Sequence, residues 1–158
     1  MKKIKMKKVF LTRKIPELAF KILKETKNIQ ILSLNNTTKI SNEDFLKVIK
    51  QNKDIEGLLI MLTDKIDISI LKLLPKLKVI STMSVGFDHI KDINKFKLNN
   101  IQIGNTPDVL TDTTTDLCVT LLLSTARRIK ESINSVQNGA WPEWEPNCNF
   151  KKLIFNSF

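Results

Sequence analysis

The sequence is poor in several residue types that mark particular kinds of protein. Its 158 residues contain no tyrosine, one histidine, two cysteines and four glycines. Cys118 and Cys148 are too few for a disulfide framework and have no metal-ligand spacing, so we predict no metal site. No apolar run approaches the roughly 20 residues that cross a bilayer, and the run after the basic start is too short for a signal peptide. We therefore expect a cytoplasmic protein with no membrane partner.

Arginine is also scarce, although the chain is basic. The formal net charge is +10, but nearly all the cations are lysines, and the only arginines are Arg13, Arg127 and Arg128. The planar arginine fork that reads guanine or clamps phosphate is therefore rare, and there is no tyrosine to stack on a base. We expect a solvated lysine-rich surface and no nucleic-acid partner.

Short apolar runs alternate with helical patterns over the first two thirds of the chain. This alternation predicts an α/β fold, a flavodoxin-like parallel sheet with helices on both faces. The run over 58–62 is apolar on both faces and is expected to be the central strand. The predicted strands are 8–12, 29–32, 58–62, 78–82 and 101–103, and the predicted helices are 16–27, 41–52, 67–74 and 90–98.

The pattern changes after Ile103. From about Leu110 to Val136, apolar residues recur at steps of three and four, which predicts one long helix with an apolar stripe. From Gly139 onward there is no periodicity. We therefore predict a domain over 1–105, a hinge and long helix over 106–138, and an irregular tail over 139–158.

Two motifs resemble a known family. Residues 79–89, VISTMSVGFDH, and residues 106–117, TPDVLTDTTTDL, are similar to D-isomer specific 2-hydroxyacid dehydrogenases of the glyoxylate/hydroxypyruvate reductase branch. Val9 to Pro16 and Asn138 to Trp141 fit as well, so the resemblance covers roughly residues 9–146. It implies that the first part of the chain is the substrate-side domain of an NAD(P)H-dependent oxidoreductase. Such an enzyme reduces a 2-oxo acid to a D-2-hydroxy acid.

The resemblance also implies a substrate site. In the family, two loop amides hold the substrate carboxylate, and the matching residues here are Val85 and Gly86, at the carboxyl end of a strand. From the residues alone, Gly86 could equally supply only a turn conformation that other residues avoid. Leu62 and Thr63 are expected to line the same pocket, with plain core packing as the alternative for Leu62. The expected partner is a small 2-oxo or 2-hydroxy acid.

Further candidate residues lie near the predicted long helix. By the same resemblance, Leu110 and Thr111 are candidate contacts to NADPH or NADH, and helix capping by Thr111 and Asp112 is the alternative. This helix region contributes to a two-fold dimer in the family. Trp141 would reach the active site of the partner subunit as a hydrophobic lid.

The departures from the family matter as much as the match. A dinucleotide fingerprint requires three closely spaced glycines after a strand, and Gly57, Gly86, Gly104 and Gly139 cannot form one. The family's catalytic Arg, Glu and acid/base His have no matching residues here. His89, the only histidine, is not at that position, so we assign no catalytic residue and expect it to donate to a backbone carbonyl.

These departures leave two functional hypotheses. In the first, the chain is an N-terminal fragment that lacks the dinucleotide-binding domain, retains the carboxylate loop, binds no cofactor tightly and is inactive alone. In the second, it is a non-catalytic interaction or dimerisation protein that associates with a full-length paralogue. In both cases we expect a homo-oligomer or association with a full-length relative.

A response-regulator receiver shares the predicted sheet and is the third possibility. Asp64 lies where a receiver is phosphorylated, near the end of the central strand. A receiver also requires an acidic pair after the first strand and a lysine after the last one. Here those positions are Thr12-Arg13 and Gly104-Asn105, so we reject this interpretation.

Overall fold

The computed structural model describes residues 6–140, in two units that divide between Asp108 and Val109. The first unit contains five strands and four helices, and the described part of the second contains two helices. The elements of the first are β1 (Lys7–Leu11), α1 (Glu17–Glu25), β2 (Ile29–Ser33), α2 (Asn42–Gln51), β3 (Ile55–Ile60), α3 (Ile70–Leu73), β4 (Val79–Thr82), α4 (Ile93–Leu98) and β5 (Gln102–Gly104). Those of the second are α5 (Thr111–Ala126) and α6 (Ile129–Gln137).

The five strands form one sheet in the order β2-β1-β3-β4-β5, and every neighbouring pair is parallel. The register aligns one apolar row across all five strands, made of Leu32, Phe10, Leu58, Ile80 and Ile103. The central strand β3 is buried along almost its whole length. The predicted flavodoxin-like sheet is therefore confirmed.

The main core lies between this apolar row and the helices on one face of the sheet. Ile49 of α2, Ile70 of α3 and Phe96 of α4 are buried in the same cluster as Phe10 and Ile80. Each such side chain contributes about 1.5–3 kcal/mol by leaving water. This core fixes the strands, and with them the loops that follow the strands.

The central strand ends earlier than its apolar run predicts. The prediction placed it at 58–62, but β3 ends at Ile60. The next amide, that of Met61, donates to the Asp64 carboxylate at 2.9 Å instead of continuing as strand. The Asp64 amide donates to the Met61 carbonyl, also at 2.9 Å, which closes a turn. Leu62 and Thr63 therefore lie in this turn and not at the end of the strand.

The predicted single long helix is wrong in one respect, because it is divided into α5 and α6. Arg128 adopts a left-handed conformation with φ of 48°, which a continuous α-helix does not accommodate. The Arg128 amide donates to the Thr125 carbonyl, three residues back, and α6 starts again at Ile129. Neither helix buries a residue. No helix in the described part of the chain is long and apolar enough to cross a membrane.

Candidate functional site

The candidate site is the loop over residues 83–89, which follows β4 at the carboxyl edge of the sheet. The Met83 amide donates to the Ile60 carbonyl of β3 at 3.0 Å, so the loop begins beside the turn that follows β3. Parallel α/β sheets bind ligands at this edge, because the loops after neighbouring strands meet there.

Three successive carbonyl groups of the loop each accept a hydrogen bond from the protein. The Ser84 carbonyl accepts from the Thr106 amide at 2.9 Å. The Val85 carbonyl accepts from the Asn105 side-chain amide at 2.7 Å, and the Gly86 carbonyl accepts from the Ser84 hydroxyl at 2.7 Å. The peptide planes on both sides of Gly86 are thus held by side chains.

These bonds determine where the neighbouring N–H groups point. No described peptide bond is cis, and in a planar trans peptide the N–H points opposite to the carbonyl oxygen. The Val85 N–H therefore points away from Thr106, and the Gly86 N–H points away from Asn105. Within residues 6–140, neither N–H has a protein acceptor. Two adjacent donors are left for a ligand, beside a Val85 side chain that is 44% exposed.

Gly86 has no conformational reason within the protein to be glycine. Its φ is not in the left-handed region, which among the described glycines only Gly139 occupies. A Cβ at Gly86 would meet nothing within 4 Å except one Asp88 carboxylate oxygen at 3.4 Å, an ordinary contact. The alternative interpretation, that Gly86 supplies only a turn conformation, is therefore wrong. The missing side chain instead leaves room for a ligand next to the two free N–H groups, with the Asp88 carboxylate as the one neighbouring group.

The turn after β3 carries the other two predicted substrate residues. Leu62 is 61% exposed, so the alternative of plain core packing is wrong for it. The Thr63 hydroxyl accepts a hydrogen bond from the Arg13 guanidinium at 2.8 Å. Asp64, next in the chain, is buried and accepts from the Thr12 hydroxyl. Sequence reasoning did not find this polar network, whose members follow β1 and β3 and lie about fifty positions apart.

His89 is buried at the end of the same loop. Its Nε2 atom lies 2.9 Å from the Thr82 hydroxyl, and that hydroxyl lies 2.7 Å from the Ser84 hydroxyl. The expectation that His89 donates to a backbone carbonyl is therefore wrong, because the nearest polar partner inside the fold is the threonine side chain. Sequence reasoning also missed Thr82, Ser84 and Asn105. The only available signal was that three hydroxyl residues, Ser81, Thr82 and Ser84, precede the glycine within the motif.

The two candidate cofactor residues belong to the second unit. Leu110 is exposed and immediately precedes α5, and Thr111 is the first residue of that helix. No side chain caps the helix, so the predicted capping by Thr111 and Asp112 is not formed. Trp141, the predicted lid, lies outside the described residues.

The dinucleotide that the resemblance implies would need a cradle for its pyrophosphate. Such a cradle requires closely spaced glycines at a helix start, and the four glycines, Gly57, Gly86, Gly104 and Gly139, are not closely spaced. The described residues therefore do not build one. Within residues 6–140 there is also no group of three or more His, Cys, Asp or Glu side chains that could hold a metal ion.

The sheet order, the glycine loop after β4 and the helix that follows β5 define the class of protein. Residues 9–147 match the catalytic domain of the D-isomer specific 2-hydroxyacid dehydrogenases, and the chain belongs to this family.

Within this family, the chain is similar to proteins named glyoxylate reductase or glyoxylate reductase/hydroxypyruvate reductase. The chain is 40% identical over 147 residues to the human glyoxylate reductase/hydroxypyruvate reductase, which covers 92% of this chain and 44% of the human protein. It is 41% identical over 140 residues to glyoxylate reductase of Thermofilum pendens, which covers 88% of this chain and 40% of that protein. A crystal structure of a Thermus thermophilus protein superposes with a TM-score of 0.73 at 31% identity, covering 89% of this chain and 43% of that one. The chain thus spans less than half the length of these relatives.

Proposed function

We propose that the loop over residues 83–89 binds the carboxylate of a small 2-oxo or 2-hydroxy acid through the Val85 and Gly86 amides. The observation that carries this proposal is the pair of adjacent N–H groups, which have no protein acceptor in the described residues and lie beside a glycine that has room for a methyl group. The substrate class comes from relatives that are named glyoxylate reductases.

Two adjacent N–H groups are a suitable binding site for a carboxylate. Hydrogen bonds to a charged group are worth about 1.5–3 kcal/mol each, roughly twice as much as neutral ones. Because the carbonyls of Ser84 and Val85 already accept hydrogen bonds from the protein, the Val85 and Gly86 N–H groups are oriented before the ligand binds. Little ordering of the loop then opposes binding. Leu62 and Thr63, in the turn after β3, are proposed to line the same pocket.

We propose further that the chain is the substrate-side part of an NAD(P)H-dependent glyoxylate/hydroxypyruvate reductase. In this proposal the 158 residues recognise the carboxylate, while hydride transfer requires a dinucleotide site that their glycines do not provide. Leu110 and Thr111 stay candidate contacts to the cofactor. The limits 1–105, 106–138 and 139–158 stay our predicted division of the chain.

An equilibrium binding experiment tests the carboxylate site. Glycolate, the simplest 2-hydroxy acid, should bind the unmodified chain, whereas glycolamide, which has the same skeleton without the charge, should bind at least about tenfold more weakly. Isothermal titration calorimetry of both compounds provides the comparison.

Gly86→Ala and Gly104→Ala form a matched pair for the same experiment. A Cβ at Gly104 would meet only the Ser81 hydroxyl, at 3.8 Å, so both glycines accept a methyl group without strain. Only the Gly86→Ala methyl group would occupy ligand space, and we expect it to weaken glycolate binding about tenfold or more. Equal affinities for glycolate and glycolamide, or equal losses in the two variants, would contradict the proposal.

The second candidate function, a dimerisation or interaction protein, is supported by the second unit. Its helices expose the apolar side chains of Leu121, Leu122, Leu123, Ile129 and Ile133. An apolar surface of this extent usually receives a partner. We propose a second copy or a full-length relative as that partner, and the two candidate functions are compatible within one chain.

A further inference from the structure

The hydroxyl groups around His89 form a connected chain whose direction can be deduced. The Ser84 hydroxyl donates to the Gly86 carbonyl at 2.7 Å, and this uses its only hydrogen. Its contact with the Thr82 hydroxyl, at 2.7 Å, must therefore be one that Ser84 accepts. Thr82 has then used its own hydrogen, so at 2.9 Å it must accept from His89 Nε2.

The direction of this chain fixes the proton on the histidine. Nε2 must carry hydrogen, and in the neutral ring Nδ1 is then bare. Nδ1 is buried and has no partner among the described residues, which agrees with a ring held through Nε2 alone. Each hydroxyl in the chain is both donor and acceptor, and such chains strengthen their members.

We propose that His89, Thr82 and Ser84 are positioning residues whose one-directional hydrogen-bond chain holds the Gly86–Phe87 peptide plane and so shapes the anion-binding loop. Glycine is the residue with the greatest backbone freedom, and the plane on its other side is held by Asn105. With both planes held, the two dihedral angles of Gly86 are fixed. The part of this inference that concerns ligand affinity rests on the proposed carboxylate function.

The histidine proton can be observed without a ligand. His89 is the only histidine of the chain, so long-range ¹H–¹⁵N spectra of its ring are unambiguous. At neutral pH we expect the proton on Nε2, protected from exchange with water because it is buried and donated. A bare Nε2, or an Nε2 proton that exchanges as fast as in a free histidine, would overturn the proposal.

Variants then test whether the hydrogen bonds from His89 through Thr82 and Ser84 hold the loop in place. Ser84→Ala should shift or broaden the Phe87 amide signal, since this N–H belongs to the released peptide plane, and should weaken glycolate binding roughly three- to tenfold. Ser84→Thr keeps the hydroxyl, and His89→Gln keeps a donor in place of Nε2, so both should bind glycolate within about twofold of the unmodified chain. Ser81→Ala is the control, because Ser81 lies next to Thr82 on β4 and makes no side-chain hydrogen bond in the described structure.

The possible failures of the two proposals are distinguishable. If the unmodified chain does not bind glycolate, the carboxylate proposal fails, while the ring proton and the Phe87 amide of Ser84→Ala still decide the positioning proposal. If Ser84→Ala folds with an unchanged Phe87 signal and unchanged glycolate affinity, the positioning role is contradicted although the carboxylate site stands.

Discussion

The helices of the two units differ in how much apolar surface they bury. In the first unit, α2, α3 and α4 bury residues in the core and α1 buries none, whereas in the second unit neither α5 nor α6 buries a residue. The apolar stripe that α6 presents, with Ile129 and Ile133, stays about half exposed. The buried apolar residues of α2, α3 and α4 therefore stabilise the first unit through its own core, whereas the apolar residues of α5 and α6 are available to another surface.

The largest expected effect is the loss of stability when a buried apolar residue of the first unit is removed, compared with an exposed one of the second unit. Phe10→Ala removes a fully buried ring that stacks on Phe45 with centroids 6.0 Å apart, and should lower the free energy of unfolding by about 3–5 kcal/mol. Leu122→Ala removes a side chain that is 69% exposed and should change it by less than about 0.5 kcal/mol. Urea unfolding followed by circular dichroism measures both. Similar losses would mean that Leu122 is buried after all.

The next prediction concerns self-association through α6. At about 25 cal/mol per Å² of apolar area, covering several half-exposed side chains contributes a few kcal/mol toward the roughly 7 kcal/mol that association at tens of micromolar requires. Ile129→Asp/Ile133→Asp should convert an associating chain to a monomer in sedimentation velocity. Asn134→Asp/Gln137→Asp adds the same charge at exposed polar positions of α6 and should leave association intact. A monomeric unmodified chain at tens of micromolar would remove the idea.

Removing a buried polar group from the first unit should lower stability more than removing an exposed one from the second unit, although by less than removing Phe10. Asp64→Ala leaves the Met61 amide without its acceptor and leaves the buried Thr12 hydroxyl only the Leu59 carbonyl, at 3.4 Å, which should cost about 1–3 kcal/mol of stability. Glu131→Gln breaks the exposed Arg128–Glu131 pair of the second unit and should have no measurable effect. Thermal unfolding of both variants tests this, and an unaffected Asp64→Ala variant would show that its network contributes nothing.

The smallest effect is a pH dependence at the amino end of the sheet. A hydrogen bond from Lys8 holds the pKa of the Asp54 carboxyl below its ordinary value of 3.8. Its stabilisation is therefore fully present above pH 3.8 and is lost as the pH falls through the lower pKa of the folded state. Because Asp54 is 52% exposed, the effect should stay below about 1 kcal/mol. Asp54→Asn should be less stable than the unmodified chain near neutral pH, and this difference should vanish in strong acid.

The sequence predicts most of the first unit, because buried strands and amphipathic helices have different periods. The end of β3 at Ile60 was not predictable, since Asp64 terminates the strand through a turn that no apolar pattern records. Nor was the break at Arg128, where neither glycine nor proline marks the left-handed residue.

The candidate site shows a similar division. The resemblance to the family pointed to Val85 and Gly86, whereas the residues alone left the ligand and turn interpretations of Gly86 equally open. The role of Asn105 depends on a contact between residues 20 positions apart, at the ends of adjacent strands. Only the register of β4 and β5 brings them together.

The central claim is that two backbone amides in the first unit receive a carboxylate. A glycolate titration of the ¹⁵N-labelled unmodified chain, followed amide by amide, tests it most directly. The account predicts that the Val85 and Gly86 signals shift most, in a saturable way, and that helices α5 and α6 respond little. Saturable shifts located elsewhere, with Val85 and Gly86 unmoved, would contradict it.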